Sequence, residues 1–152
     1  MSESRGGGLL REVCRLPTSG ARAAAVFDLD GAVHLAVPQL AYDLPGARPY
    51  MNGGDSDTDL LIYRWEGERF REVDRLPAPG GEDAEIFEIG GETFLAVASA
   101  RSGKGPYEPN IDSVVYRRDG GSWREMQRVP TFFAKQWRHI PIGDRHFLGL
   151  AL

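Results

Sequence analysis

The chain repeats itself three times, and the spacing inside the repeat does not drift. Leu10-Arg-Glu-Val-Cys-Arg-Leu-Pro17 matches Phe70-Arg-Glu-Val-Asp-Arg-Leu-Pro77 without a gap, and both match Trp123-Arg-Glu-Met-Gln-Arg-Val-Pro130. Val26-Phe27-Asp28-Leu29-Asp30-Gly31 then corresponds to Ile86-Phe87-Glu88-Ile89-Gly90-Gly91 and to His139-Ile140-Pro141-Ile142-Gly143-Asp144. His34-Leu35-Ala36-Val37, Phe94-Leu95-Ala96-Val97 and Phe147-Leu148-Gly149-Leu150 follow. The residue before each proline precedes a later leucine by 19 positions in every copy: Leu16 to Leu35, Leu76 to Leu95, Val129 to Leu148. A fourth element occurs twice, as Leu61-Ile62-Tyr63-Arg64-Trp65 and Val114-Val115-Tyr116-Arg117-Arg118. The extra length of the first copy falls between Val37 and Leu60.

Each element is short, alternating or apolar, and bounded by Gly, Pro or Asp, which is strand chemistry. Glu66-Gly67-Glu68, Asp119-Gly120-Gly121, Asp30-Gly31, Gly90-Gly91 and Gly143-Asp144 supply hairpin turns, because glycine reaches the positive φ they need. The unit is therefore a four-stranded antiparallel meander, and no segment carries a helical apolar period. With 19 Gly and 10 Pro among 152 residues the chain turns too often for a coiled coil or simple bundle. No apolar run approaches the ~20 residues of a membrane helix. Met1 to Gly8 is a polar, Gly-rich stretch, expected to be a flexible tail, and lacks the apolar core of a secretory signal. The single Cys14 excludes an intramolecular disulfide framework, so a cytoplasmic location is expected. A net charge of −4 argues against a nucleic-acid face. Lys104 and Lys135 are the only lysines, and the other 16 basic residues are Arg, which points to a GC-rich bacterial source.

The ordered set of motifs resembles the epitempin, or epilepsy-associated (EAR/EPTP), repeat. That pattern runs through an aromatic-x-x-x-Gln element, Thr-x-Gly-Ala-x-Asp-Trp-Glu-x-Phe, a Phe-Leu-Ala-Val strand and Ile-Tyr-Arg-Trp. Here Gln127, Phe94-Leu95-Ala96-Val97 and Ile62-Tyr63-Arg64-Trp65 fit it. Copy two keeps Gly80, Asp83, Glu85 and Phe87; copy one keeps Thr18, Gly20, Ala21 and Phe27; copy three keeps Thr131 and Trp137. The Asp-Trp-Glu element becomes Ala23-Ala24-Ala25, Asp83-Ala84-Glu85 and Gln136-Trp137-Arg138 in the three copies. The resemblance covers about residues 9–152 and implies a β-propeller of binding proteins, extracellular and seven-bladed in the family.

The expected fold is all-β and propeller-like, with repeats over about 9–69, 70–122 and 123–152, the last one strand short. Eleven strands in an isolated three-blade arc would leave two apolar faces and two sheet edges uncovered. Two chains closing a six-bladed ring with two-fold symmetry would cover them, so a homodimer is expected. The alternative is a monomeric β-trefoil.

Three regions carry candidate chemistry. The loops between the third and fourth elements share Pro-Tyr, then Asn, then Asp: Tyr50 and Asn52 in copy one, Tyr107, Asn110 and Asp112 in copy two. Tyr offers a stacking face and a hydroxyl, and Asn and Asp give direction to a ligand or cap their own turn. The alternating Asp55, Asp57 and Asp59 lack the Gly and Glu of a calcium loop and read as a solvated acidic run. Copy three departs from pattern at Lys135, Trp137, Arg138 and His139, where cationic groups flank an indole and a titratable imidazole. The leading expectation is a protein that binds a small-molecule or protein ligand, with Trp137, Lys135, Arg138, Asn110 and Asn52 as contacts. The alternative is a small non-redox isomerase, cyclase or hydrolase of bacterial specialised metabolism using His139, Asp112, Tyr107 and Tyr50. No cofactor, metal, nucleic acid or membrane is expected.

Overall fold

The computed structural model describes residues 9–152; the tail expected over 1–8 lies outside the described residues. Ten strands follow one another, with no helix among the described residues: β1 (Ala25–Leu29), β2 (Ala32–Val37), β3 (Asp59–Trp65), β4 (Phe70–Pro77), β5 (Gly81–Ile89), β6 (Glu92–Ser99), β7 (Asn110–Asp119), β8 (Ser122–Phe132), β9 (Gln136–Ile142) and β10 (Arg145–Ala151). They form antiparallel meanders in the orders β1-β2-β3-β4, β5-β6-β7-β8 and β9-β10. The tight turns sit where the Gly-containing signals are. Asp30 and Gly31 both take positive φ, 51° and 73°, as do Gly90 and Gly91, 59° and 80°. This backbone twist matches that of the flanking strands.

The repeat is visible in fine detail. In the first sheet the β3–β4 register shifts between Ile62 and Tyr63, leaving Val73 as the extra residue. In the second it shifts at the equivalent place, between Val115 and Tyr116, leaving Met126. A bulge at one position in both copies bends each outer strand in the same way.

Two features differ from the sequence-based expectation. The Phe70 and Trp123 elements do not open a sheet; as β4 and β8 they close the preceding one. A sheet therefore spans 25–77 or 81–132, out of phase with the sequence repeat. Leu10–Pro17, identical in kind to β4, is exposed irregular chain and not an eleventh strand, because no neighbouring third strand offers it a ladder. A β-trefoil needs strands of all three copies closed into a barrel. No sheet closes among the described residues, and each is built from consecutive segments.

The sheets stack in one direction. The forward face of the first (Phe27, Ala36, Leu60, Ile62, Leu76) packs on the rear face of the second (Leu95, Val97, Val114, Tyr116, Trp123). The forward face of the second (Phe87, Phe94, Ala96, Val115) packs on the rear face of the β9–β10 hairpin (Trp137, Leu148, Leu150). Alternation along each strand makes both faces apolar, as a sheet covered on two sides requires. Among the described residues, the rear face of the first sheet (Val37, Leu61, Tyr63) is covered by Leu16 and its neighbours. Tyr63 Oη donates to the Pro17 carbonyl at 3.0 Å. Tyr116 Oη makes the equivalent bond to Pro77 at 2.6 Å. Leu10–Pro17 thus occupies, against the first sheet, the place that β4 occupies against the second.

Candidate functional site

The long loop between β2 and β3 folds onto the loop after β6, and one buried cation joins them. Arg101 is 7% exposed. Its Nη1 and Nη2 donate to the carbonyls of Asn52 (3.0 Å) and Gly53 (3.2 Å), and its Nε to Ser56 Oγ (2.9 Å). Its guanidinium lies 3.7 Å from the centre of the Tyr107 ring. Tyr107 Oη donates to the Gly54 carbonyl at 2.9 Å. A planar fork that donates in plane and stacks through its face can meet all of these at once; a lysine could not. Gly54, at φ 89°, is fixed by the same approach, since a Cβ there would lie 2.4 Å from the Tyr42 carbonyl oxygen.

The acidic run is consumed in the same scaffold. Asp55 Oδ1 accepts from the Asp57 N–H at 3.0 Å, and Asp57 Oδ1 accepts from the Gly103 N–H at 2.8 Å. Lys104 Nζ lies 3.5 Å from Asp55 Oδ2. Among the described residues no group of three or more His, Cys, Asp or Glu is arranged to hold a metal.

This clamp presents Tyr50 and Met51 to solvent, 71% and 74% exposed. They border a cleft of about 400 Å³ whose other walls include Thr18, Arg22, Leu40 and Asp43. An exposed aromatic and a flexible thioether beside a cleft, with an Arg and an Asp at its edge, is chemistry suited to a protein or peptide surface.

The two Pro-Tyr loops thus diverge. Tyr107 is a packed strut, whereas Tyr50 is free. Asn52 contributes its carbonyl to Arg101. Asn110 and Asp112 lie on β7 opposite Phe132 and Pro130. Trp137 is in the core, 4% exposed. Lys135 pairs with Glu82 at 2.9 Å. Arg138 Nη1 lies 3.3 Å from Asp83 and 3.4 Å from Glu85. Those two acids also cap the inner edge of β9, with Asp83 accepting from the Trp137 N–H (3.0 Å) and Glu85 from the His139 N–H (2.9 Å). Burial pushes the Asp83 carboxyl above its ordinary range, a shift opposed by the Trp137 N–H and by Arg138.

His139 Nε2 is 2.9 Å from His146 Nδ1 with the two rings nearly parallel, and the His139 ring stacks on Phe87. His34, by contrast, is a buried strut, with Nδ1 2.9 Å from the Ala32 carbonyl oxygen and its ring stacked on Phe27. Of the four residues expected for catalysis, Tyr107 and Tyr50 belong to the loop cluster, while Asp112 lies on β7 and His139 on β9. Arg101, Met51 and the His146 partnership carry no sequence motif. Asp83 and Glu85 are visible only as the two acids that copy two keeps of an element altered in all three copies.

Comparison with known proteins supports the repeat. Residues 69–119 match the EPTP domain. The chain is 32% identical over 140 residues to the human "Thrombospondin-type laminin G domain and EAR repeat-containing protein", covering 90% of this chain and 19% of that protein. The mouse protein of the same name is 35% identical over 95 residues, 60% of this chain and 14% of that one. "Leucine-rich repeat LGI family member 3" of Macaca fascicularis is 30% identical over 92 residues, 59% of this chain and 15% of that protein. The chain therefore spans a small part of these mammalian relatives, less than a fifth of the length of each. No helix among the described residues is long and apolar enough to cross a membrane.

Proposed function

Taking the chain as the EPTP/EAR-repeat protein that its motifs and relatives make it, we propose that it is a protein-interaction module acting as a homodimer. Two copies would close a propeller-like ring of six sheets, and the Tyr50–Met51 cleft would receive a partner. The observation that carries this reading is the direction of stacking. Among the described residues, each internal interface joins a forward face to the next rear face, and one face of each kind is left without a packed sheet. The open forward face of β9–β10 presents Ile140 and Phe147, 43% and 39% exposed. The open rear face of the first sheet forms a wholly apolar groove of about 330 Å³ lined by Val13, Cys14, Val33, Trp65 and Phe70. That groove is the counterpart of the one between the first two sheets, where Val73, Asp74, Arg118 and Trp123 take the places of Val13, Cys14, Trp65 and Phe70. A forward face and a rear face on one chain form heterologous surfaces, and two copies joined about a two-fold axis satisfy both.

The test is a pair of charge substitutions on the two end faces. Phe147→Glu and Trp65→Glu should each convert a dimer to a monomer while the far-UV spectrum stays β-rich. A dimer that survives both substitutions would remove the ring.

A further inference from the structure

A groove of about 210 Å³ opens between the forward face of the first sheet and the rear face of the second. Both sheets have all four of their strands in the described chain. The groove is therefore walled by this chain alone and uses neither open end face.

His34 is the anomaly in its wall. The equivalent positions of the other two copies hold Phe94 and Phe147. Phe94 stacks on Phe87 in the core, and His34 takes the same place on Phe27. His34 is only 6% exposed, and a polar ring in so apolar a place costs free energy unless its nitrogens are used. One is used: Nδ1 lies 2.9 Å from the Ala32 carbonyl oxygen. A carbonyl only accepts, so Nδ1 carries the proton, and the neutral ring leaves Nε2 as a bare acceptor. Nε2 has no partner among the described residues.

Trp123 packs on the other side of Phe27, from the second sheet. It is 8% exposed, and its Nε1–H also lacks a partner among the described residues. The polar side-chain atoms sealed from solvent without a partner are Ser99 Oγ and Trp137 Nε1. The free nitrogens of His34 and Trp123 are thus reached from the groove that both residues line. One buried acceptor and one buried donor open onto the same space.

Charge comes from both walls. Arg64, opposite His34 in the β2–β3 ladder, is exposed and makes no ion pair among the described residues. Arg118 lies 5.5 Å from the centre of the Trp123 ring, with Nη2 3.4 Å from Asp30. Leu29, Ile62 and Val73 supply an apolar remainder. At the next interface Gly90 and Phe94 replace Asp30 and His34. The buried acceptor therefore breaks the packing pattern of the repeat, as functional residues do.

We infer that this groove binds a small aliphatic carboxylate with an N–H or O–H donor on its α-carbon, an α-amino or α-hydroxy acid. Arg64, Arg118 and the Trp123 Nε1–H take the carboxylate, and His34 Nε2 accepts from the α-donor. Leu29, Ile62 and Val73 cover the aliphatic chain.

The probes are L-valine, L-α-hydroxyisovalerate, isovalerate (which lacks the α-donor) and L-valinamide (which lacks the carboxylate). Binding is read from the indole N–H resonances of the whole chain, with Trp65 and Trp137 as controls. Valine or the hydroxy acid should shift the Trp123 indole saturably, and the tighter of the two identifies the donor. Isovalerate should bind about tenfold more weakly than that acid, the worth of one buried hydrogen bond, and valinamide should not bind. Arg64→Gln should weaken binding of the carboxylates about three- to tenfold. His34→Phe installs the residue of the other two copies and should erase the preference over isovalerate while the far-UV spectrum stays β-rich. The inference is overturned if neither acid gives a saturable Trp123 shift, if isovalerate or valinamide binds as tightly as the better acid, or if the preference survives His34→Phe.

Discussion

Tyr116 and Pro77 are joined by a hydrogen bond of 2.6 Å that crosses from the second sheet to the end of the first. Burial pushes the Tyr116 hydroxyl up to about 12, with Glu125 adding to the shift. A group whose pKa is raised on folding stabilises fully below its unfolded value near 10 and loses that contribution as pH rises toward 12. Stability should therefore fall between about pH 10 and 12, by an amount on the order of 2 kcal/mol. Tyr116→Phe should cost about 1 kcal/mol at neutral pH and flatten that fall. Urea unfolding at both pH values reads both effects.

The sister bond from Tyr63 to Pro17 holds only the irregular segment in front of β1. Tyr63→Phe should speed tryptic cleavage after Arg11 and Arg15 several-fold while changing global stability by about 1 kcal/mol or less. Mass spectrometry of timed digests separates local release from general loosening, in which sites on β4 and β8 would be cut as well.

Phe133 stands where the other copies have Gly20 and Gly80. The position is fixed by its hydrogen bonds: Gly80 N–H donates to the Ser56 carbonyl and Phe133 N–H to that of Pro109, the residue equivalent to Ser56. Phe133 takes φ 52°, Gly20 60° and Gly80 54°. A bulky residue in this region costs about 1–2 kcal/mol, while restoring glycine loosens the unfolded chain by about 0.4–1 kcal/mol. Phe133→Gly should therefore be neutral or raise stability by up to about 1 kcal/mol, as read by thermal unfolding. Gly80→Ala should destabilise the fold, because the new Cβ would lie 2.3 Å from the Arg101 carbonyl oxygen.

Asp83 and Glu85 tie β5 to β9 through the N–H groups of Trp137 and His139. Asp83→Ala leaves a buried N–H without its acceptor and should cost about 1–3 kcal/mol. Asp83→Asn keeps an acceptor oxygen and should cost less. Hydrogen exchange at the Trp137 amide should accelerate in the alanine variant and stay close to wild type in the asparagine one.

Much of this was legible in the amino-acid sequence, and the parts that were not have physical reasons. The elements around Phe27, Phe94 and Tyr116 announce strands because their apolar residues face two packed neighbours. The phase of the sheets was hidden. The Glu66-Gly67-Glu68 turn within a sheet and the Pro77-to-Gly81 passage between sheets both carry glycine turn signals, and tertiary pairing decides which of them separates two sheets. Leu10–Pro17 shows the converse, since a sequence that forms β4 and β8 stays irregular where no third strand adjoins it. Beside cationic groups Trp137 reads as a ligand contact, and the apolar forward face of the second sheet takes it into the core instead. Arg101 has no counterpart in copy one, where Ala41 holds its place, and its role comes from the Asn52 and Gly53 carbonyls and the Ser56 hydroxyl, 45 to 49 residues away, and from the Tyr107 ring.

The most direct test of ring closure is the solution mass, by light scattering coupled to size exclusion at micromolar concentration. One chain is 16.8 kDa. Stacking that joins each forward face to the next rear face predicts a particle of twice that mass, falling to one chain in Phe147→Glu. A wild-type particle with the mass of a single chain would contradict it.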